Sequence, residues 1–169
     1  MTGVVSAIVA IDEHVVPYRP ADVQPVLLDV HRYAEWWPNP WRVKASGEPP
    51  AGLGTRFRVA DGWLPAWEGE ITAIEERRIL LRFDGSLVGD GRWGLRGVID
   101  GSAVLFRMDV EPGSAWVRLL SWRLDMRRRQ ARHMLKLFRA LDARLGELGV
   151  ERVPEPQRPG DRPPQKLIT

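Results

Sequence analysis

The feature that most constrains the fold is a run of short apolar segments in the middle of the chain, each ended by turn residues. Between residues 41 and 111 these segments mostly alternate apolar and polar side chains, the period of a strand with one buried face. The links between them are rich in Gly, Asp and Pro and too short to hold a crossover helix. Consecutive strands joined in this way form an antiparallel meander. The six predicted strands are WRVKA, TRFRVA, WEGEITAIE, RILLRFD, GRWGLRGVI and AVLFRMDVE.

The segments on either side of the meander supply one more strand and the helices. Residues 4–16 are rich in Val and Ile and predict a first strand that ends before Pro17. Asp22 is the predicted N-cap of a short helix, and a second short helix is predicted near residues 31–37. Residues 114–148 predict one long amphipathic helix. Its predicted apolar sector comprises Leu120, Leu124, Ala131, Met134, Leu135, Phe138, Leu141 and Leu145.

The order of these elements predicts an α+β fold in which a curved seven-stranded antiparallel sheet packs around the long C-terminal helix. One apolar sheet face needs a cover, and only this helix is long enough to supply it. Because the ends of a bent sheet diverge from a straight helix, we expect a cavity between them. The ligand-binding domain is predicted to span residues 1–149. Residues 150–169 form a predicted tail with five prolines between positions 154 and 164, a composition that favours disorder.

Composition excludes several classes of site. The chain of 169 residues contains no cysteine, which excludes a thiolate nucleophile, a disulfide and a cysteine-ligated metal centre. Its three histidines form no HExxH pattern, and we predict neither a metal nor a cofactor. A net charge of +3 gives no argument for nucleic acid as a partner. The N-terminal segment lacks the basic residues of a signal peptide and no apolar run reaches the ~20 residues that cross a bilayer, so a cytoplasmic protein is predicted.

Four segments carry a resemblance to a known family. They are PADVQPVLLDVHRYAEWWP (residues 20–38), GLGTRF (52–57), WEGEITAIEERRILLRF (67–83) and GRWGLRG…GSAVLFRMDVE (91–111). With the terminal helix, the similarity covers about residues 4–148. The chain resembles the START-like, polyketide-cyclase/dehydrase and lipid-transport superfamily, often called SRPBCC. The resemblance implies a helix-grip fold over a hydrophobic cavity. Members of that superfamily include lipid and sterol carriers, polyketide aromatase/cyclases and hormone receptors, and they share no single catalytic motif.

The tryptophans favour an aromatic-lined cavity. Six of the eight lie on segments that would surround its mouth: Trp36, Trp37, Trp41, Trp63, Trp67 and Trp93. Aromatic walls suit a flat or polycyclic apolar ligand, whereas the alternative is that these rings fill the core. Residues 33–41 and 61–65 are predicted to form the mouth. The predicted ligand-binding residues are Tyr33, Trp37, Phe57, Trp63, Trp67, Trp93, Phe106, Met108, Arg127, Met134 and Phe138.

Arg127 is the predicted polar anchor of the cavity. At 100° per residue it falls close to Phe138 and Leu145, in the middle of the inward sector. A buried guanidinium without a partner is very costly, so it must reach solvent, a carboxylate or a ligand anion. Pairing with an acid such as Asp109 is the structural alternative to an anchor for a ligand carboxylate, phosphate or enolate. We expect Arg127→Met to weaken an acidic ligand more than a neutral one.

No catalytic constellation is recognisable, and the weak candidates are His14, Tyr33, Glu68 and Arg127. Glu68 and Glu70 share one face of a strand, which suits paired carboxylates and equally suits a solvent-facing strand. Alternation does not settle which face of the first strand His14 occupies. His133 is predicted at the outer edge of the long helix, away from the cavity.

Two further patterns have plain structural interpretations. GDGRWG (residues 89–94) matches GxGxxG, but a predicted strand follows it where a phosphate cradle requires a helix. Its glycines therefore indicate a turn and a close approach of the backbone. A basic group is predicted on the helix face opposite the apolar sector, comprising Arg129, Arg132, Lys136 and Arg139. It is interpreted as a solvated face; an anionic membrane or nucleic acid is the alternative, with little binding expected at about 0.15 M salt.

The first functional hypothesis is a carrier or sequestering module that holds one small hydrophobic ligand, such as a lipid, an isoprenoid or a polyketide-like molecule. The second is an enzyme of the polyketide cyclase/dehydratase kind that uses the same cavity. A third is a regulatory interaction protein with a vestigial pocket, for which the Pro-rich tail would be the docking segment. A homodimer and weak peripheral contact with a membrane stay open.

Overall fold

The computed structural model of the chain describes residues 8–62, 65–123 and 126–154, without the side chains of residues 120–127. Within these ranges, seven strands form one antiparallel sheet in the order β1-β7-β6-β5-β4-β3-β2. The strands are β1 (Ile8–Val16), β2 (Arg42–Ala45), β3 (Arg56–Ala60), β4 (Trp67–Glu75), β5 (Arg78–Gly85), β6 (Leu87–Val98) and β7 (Gly101–Pro112). The helices are α1 (Pro20–Leu28), α2 (Tyr33–Trp36), α3 (Ala115–Arg123) and α4 (Met126–Glu147), with a 3-10 turn at Val30–Arg32. The predicted helix-grip architecture is confirmed.

Strand β1 joins the sheet beside the last strand, β7, and the burial of its side chains settles which of its faces is inner. Ile8 pairs with Val110 at one end, and Val16 pairs with Ser102 at the other. Val9 and Ile11 are 38% and 58% exposed, whereas the even-numbered side chains of the strand are half-buried or buried. The even-numbered residues of β1 therefore face α4, with His14 among them.

Strand β6 begins earlier than its sequence predicts. The turn expected over DGSLVGDG is shorter, because Leu87 already pairs with Pro112 and Gly89 with Val110. Gly89 has φ +149°, and a Cβ there would lie 2.2 Å from the carbonyl oxygen of Asp109. Its lack of a side chain serves a close approach between two strands, and the GxGxxG glycines lie inside a strand with no helix N-terminus after them.

Helix α4 covers the concave face of the sheet with one apolar stripe. Its buried side chains are Met134, Leu137, Phe138, Leu141 and Leu145. The predicted positions of Ala131 and Leu135 are wrong, since both are exposed, and Leu137 was missed. At 100° per residue, Leu135 lies about 100° from Met134 and therefore outside the stripe. Leu124 and the side chain of Leu120 lie outside the described residues.

The first helix begins two residues before the predicted cap. Helix α1 starts at Pro20, with Arg19 at the N-cap and no side-chain capping bond. Proline suits the first helical position because its φ is already helical and its missing N–H has no helical partner there. Asp22 lies inside the first turn, where its negative charge interacts favourably with the helix dipole.

The chain beyond α4 returns to the start of the domain. The backbone N–H of Val153 donates to the carbonyl oxygen of Pro17 at 2.9 Å. Arg152 donates to the hydroxyl of Tyr18 and to a carboxylate oxygen of Asp142, each at 3.3 Å. Residues 150–154 are thus attached to the folded domain, and residues 155–169 lie outside the described ranges. Among the described helices, none combines the length and the apolar character needed to span a membrane.

Candidate functional site

A cavity of about 60 Å³ lies between the concave face of the sheet and α4. Six of the predicted ligand-binding residues line it: Trp37, Trp67, Trp93, Phe106, Met108 and Met134. Strand alternation brings three of them together, because every second side chain of β6 and β7 points toward the helix. The cavity wall on the sheet side is therefore aromatic and apolar.

The aromatic wall depends on pairs that face each other across neighbouring strands. Trp93 in β6 is directly opposite Phe106 in β7, and their ring centroids are 4.6 Å apart. Trp67 meets the edge of Phe83 at 5.0 Å. Gly91 makes room for Phe83, since a Cβ on this glycine would lie 2.5 Å from the ring. Glycine in the middle of β6 thus allows the rings to pack closely.

Three rings close the mouth of the cavity. Trp37 lies 5.3 Å from Trp41, and Trp41 meets the edge of His133 at 5.1 Å. Trp37 also stacks on Tyr33 at 4.5 Å. The indole N–H of Trp37 is buried and has no hydrogen-bond partner among the described residues. All three rings of the mouth, Trp37, Trp41 and His133, line the cavity.

The polar side of the cavity is formed by Asp61, Arg129, Gln130 and His133. The sequence analysis placed Asp61 at the mouth and missed the three residues from α4. Burial lowers the pKa of His133 below its ordinary value of 6.5, and the positive charges of Arg129 and Lys136 lower it further, while Asp61 opposes the shift. His133 is therefore a neutral imidazole at pH 7, able to accept a proton at the cavity mouth. The predicted outer position of His133 and the solvated position of Arg129 are both corrected.

Tyr33 supports the site from behind without lining the cavity. It is 2% exposed, and its hydroxyl donates to the carbonyl oxygen of Leu27. Burial, with a smaller contribution from the charge of Asp29, raises the pKa of Tyr33. Tyr33 therefore packs behind the rings of the mouth as a neutral phenol.

The other predicted residues lie apart from the cavity. Phe57 and Phe138 are buried in the core, and His14 stacks on Phe138 with ring centroids 5.4 Å apart. Glu68 lies on the outer face of β4 and is exposed. Asp109, considered as a partner for Arg127, is paired with Arg107 at 2.7 Å. Trp63 and the side chain of Arg127 lie outside the described residues, and Trp36 is buried without lining the cavity.

One inward carboxylate was not singled out by the sequence. Asp12 faces α4 from β1, two residues from Ala10, which lines the cavity. One of its carboxylate oxygens, Oδ2, is buried without a hydrogen bond among the described residues, and burial raises the pKa of the Asp12 carboxyl. Asp12 is thus a polar group beside the cavity. Nowhere in the described residues do three His, Asp or Glu side chains gather in a group suited to hold a metal ion.

Comparisons with known proteins find the fold and no close relative in sequence. No protein-family model and no curated protein matches the chain. The solution structure of KanY is similar with a TM-score of 0.66 at 13% identity, over 83% of this chain and 99% of KanY. The di-domain ARO/CYC StfQ from the steffimycin biosynthetic pathway has a TM-score of 0.65 at 16% identity, over 85% of this chain. DynU16 from the dynemicin biosynthetic locus has a TM-score of 0.57 at 20% identity, over 84% of this chain.

The chain spans about half the length of two of these proteins, 52% of StfQ and 48% of DynU16. At such low identity the likeness concerns the fold and carries no residue roles. It agrees with the antiparallel sheet and C-terminal helix described above. The chain therefore has a helix-grip fold, as the resemblance in its sequence implied.

Proposed function

We propose that the cavity between the sheet and α4 binds one small apolar molecule with a flat or polycyclic body. The observation that carries this proposal is the division of the lining into an aromatic and apolar wall and a polar side. Trp67, Trp93 and Met108 belong to the wall, whereas His133 and Arg129 belong to the polar side. Ligand sites in proteins commonly combine an apolar lining with a few polar groups that fix the orientation.

The size of the cavity dictates how a ligand enters. A volume of about 60 Å³ is well below the ~300–1,000 Å³ of typical ligand sites. The side chains at the mouth must therefore move when a ligand binds. Trp37 and Trp41 are only half-buried, and the buried indole N–H of Trp37 gains a partner when the ring turns outward or meets a ligand acceptor. The closed mouth is the unliganded arrangement under this proposal.

The driving force is the removal of apolar ligand surface from water. At about 25 cal/mol per Å², burying ~200 Å² of a polycyclic ligand contributes about 5 kcal/mol before the costs of association. Stacking against Trp67 or Trp93 adds a preferred orientation. A polar substituent placed near Gln130 and His133 would decide which end of the ligand enters first.

A second candidate function is proton-transfer catalysis on the same ligand, as in a cyclase or dehydratase. The observation that favours it is the lowered pKa of His133 at the cavity mouth, with the carboxylate of Asp61 close enough to influence it. A neutral imidazole beside a bound carbonyl compound can remove a proton in a condensation or dehydration step. StfQ, described as an ARO/CYC from a biosynthetic pathway, shows the same fold in such a protein.

Binding is tested by titrating the full chain with N-phenyl-1-naphthylamine, a neutral aromatic probe whose fluorescence rises in apolar surroundings. We expect saturable binding of one probe per chain. Ala10→Leu places extra methylene groups in the cavity lining and should abolish it. Val9→Leu is the matched control, because Val9 is on the outer face of the same strand. Equal binding by both variants, or no saturable binding to the parent, would refute the proposal.

Catalysis is distinguished from storage by His133→Phe, which keeps an aromatic ring at the mouth and removes the proton acceptor. For a binding protein, we expect the probe affinity of this variant to stay close to that of the parent. For an enzyme, the variant keeps ligand affinity and loses turnover of a polyketide-like substrate by about 100-fold or more. Turnover that survives in the variant would remove His133 from the mechanism.

A further inference from the structure

The outer face of the sheet, on the side away from the cavity, carries a groove of about 460 Å³ rich in arginine. Its charged lining residues are Glu13, Arg77, Arg78, Arg92 and Arg96, and Gly94 lies among them. Four cations therefore share the groove with one acid. Leu105 and Ala103 of β7 contribute apolar surface to the same groove.

Gly94 lies among these arginines and, because it has no side chain, leaves a hole between them. Arg92 and Arg96 lie two residues before and after it on β6, so their side chains leave the strand on the same face. Arg78 in β5 is directly opposite Gly94 on one side, and Leu105 in β7 is directly opposite on the other. A Cβ on Gly94 would meet only side-chain atoms of Leu105, at 3.6 and 3.7 Å. Three arginines are thus the neighbours, along β6 and across to β5, of a position that has no side chain.

The positive charge of the cluster is only partly neutralised. Arg92 makes no ion pair among the described residues, whereas Arg107, directly opposite it in β7, is paired with Asp109 at 2.7 Å. Arg96 is paired with Glu13 at 3.2 Å, and Arg77 and Arg78 have loose, exposed pairs with Glu76 and Glu75 at 3.9 and 3.7 Å. The unpaired Arg92 and these loose pairs leave part of the positive charge of the groove available to an anion.

We propose that the hole at Gly94 is a binding site for a phosphate monoester or diphosphate group. Guanidinium groups present paired N–H donors that match phosphate oxygens. Arginines that approach from three sides suit a tetrahedral oxyanion with several charges better than a single flat carboxylate. Leu105 offers contact to the carbon portion of the ester. Binding comes from side chains on two neighbouring strands, without a helix N-terminus, and is independent of the cavity.

The test is calorimetric titration of the full chain with inorganic pyrophosphate at low salt. We expect one pyrophosphate per chain, and an affinity about tenfold weaker in Arg92→Gln, the loss of one charge-assisted hydrogen-bond partner. Arg58→Gln is the matched control, because Arg58 is an exposed arginine on the outer face of β3, with two strands between it and β6. An equal loss of affinity in both variants would indicate a diffuse charge effect and overturn the proposal.

A second variant removes the hole without removing a charge. Gly94→Val fills the position, and the ordinary contact distances around its Cβ allow the strand to accept it. We expect pyrophosphate binding to be lost while the thermal unfolding midpoint without ligand is not lowered. Pyrophosphate binding by folded Gly94→Val with the affinity of the parent would contradict the site.

Vesicles identify the source of the phosphate. The chain is mixed with phosphatidylcholine vesicles with and without phosphatidic acid. Binding that needs phosphatidic acid and is lost in Gly94→Val assigns the site to a lipid headgroup. Pyrophosphate binding without vesicle binding assigns it to a soluble phosphate ester. A parent chain that binds neither pyrophosphate nor phosphatidic acid would overturn the proposal.

Discussion

At the scale of single residues, the rotation of α4 about its axis determines that His133 lies at the cavity mouth. The predicted and observed apolar stripes of α4 differ by a rotation of about 40° at 100° per residue. That rotation exposes Leu135 and buries Leu137, and it brings His133 and Arg129 to the cavity. A sequence pattern fixes the period of a helix well, but the rotation about its axis depends on packing against the sheet.

The titration of His133 is the first prediction at this scale. Its pKa in the folded chain is lowered below 6.5. At a pH between the folded pKa and 6.5, the unfolded chain therefore binds more protons than the folded chain. The stabilisation linked to His133 is therefore present above about pH 6.5 and is lost as the pH falls through the folded pKa. We expect NMR titration of the imidazole to give a pKa below 6.5.

Two variants serve as controls for this titration. Arg129→Gln removes a nearby positive charge and should move the pKa of His133 upward. His133→Gln should flatten the decline in unfolding free energy between neutral and acidic pH. An imidazole pKa at or above 6.5 in the parent chain would show that the ring is solvated and lies away from the cavity.

Other residue positions follow the alternation of the strands. Trp93, Phe106 and Met108 were predicted to bind the ligand, and they line the cavity because alternate side chains of β6 and β7 face α4. Asp61 and Trp41 belong to the segments predicted to form the mouth, and both line the cavity. They were not named as binding residues, because both lie in links between strands, where no period indicates direction. Phe57 was assigned to the correct face of its strand but lies in the core beyond the cavity.

At the scale of elements, α4 holds the sheet through its buried leucines. Leu145 is fully buried and Leu135 is 43% exposed. Leu145→Ala should lower the free energy of unfolding by about 2–5 kcal/mol, because it removes core contacts and leaves a cavity. Leu135→Ala should change it by no more than about 0.5 kcal/mol. Alanine is a good helix former, so helix propensity does not confuse the comparison.

Urea denaturation of the two variants measures this difference. Equal destabilisation by both substitutions would mean that the apolar stripe of α4 is centred where the sequence alone placed it.

Tertiary contacts also explain the error in β6, where the glycines of the sequence predicted a turn. Gly89 lies inside the strand, and this position requires glycine because the neighbouring backbone of Asp109 leaves no room for a side chain. A contact of that kind is not visible in the sequence.

At the scale of the whole molecule, the end of the domain is set by contacts rather than by composition. Truncation after Gly149 removes the hydrogen bond from Val153 to Pro17 and the packing of Val150 against the core. We expect this truncation to cost about 1–2 kcal/mol of unfolding free energy. Truncation after Pro154 should cost none, because the proline-rich composition of residues 155–169 does not favour packing.

Thermal unfolding and probe titration of both truncated chains measure the effect. A loss of stability on truncation after Pro154 would show that the tail packs on the domain.

The order of elements predicted the fold of the whole molecule, since seven strands and one long helix have few ways to bury their apolar faces. The volume of the cavity was beyond prediction, because it depends on how individual rings such as Trp37 and Trp41 close the mouth.

The most direct measurement is a crystal structure of the chain with bound N-phenyl-1-naphthylamine. We expect the probe between Met108 and Met134, with Trp37 or Trp41 displaced from its present position and the cavity enlarged around it. A probe found only on the exposed aliphatic residues of β1, such as Ile11, with the cavity still near 60 Å³, would contradict the account.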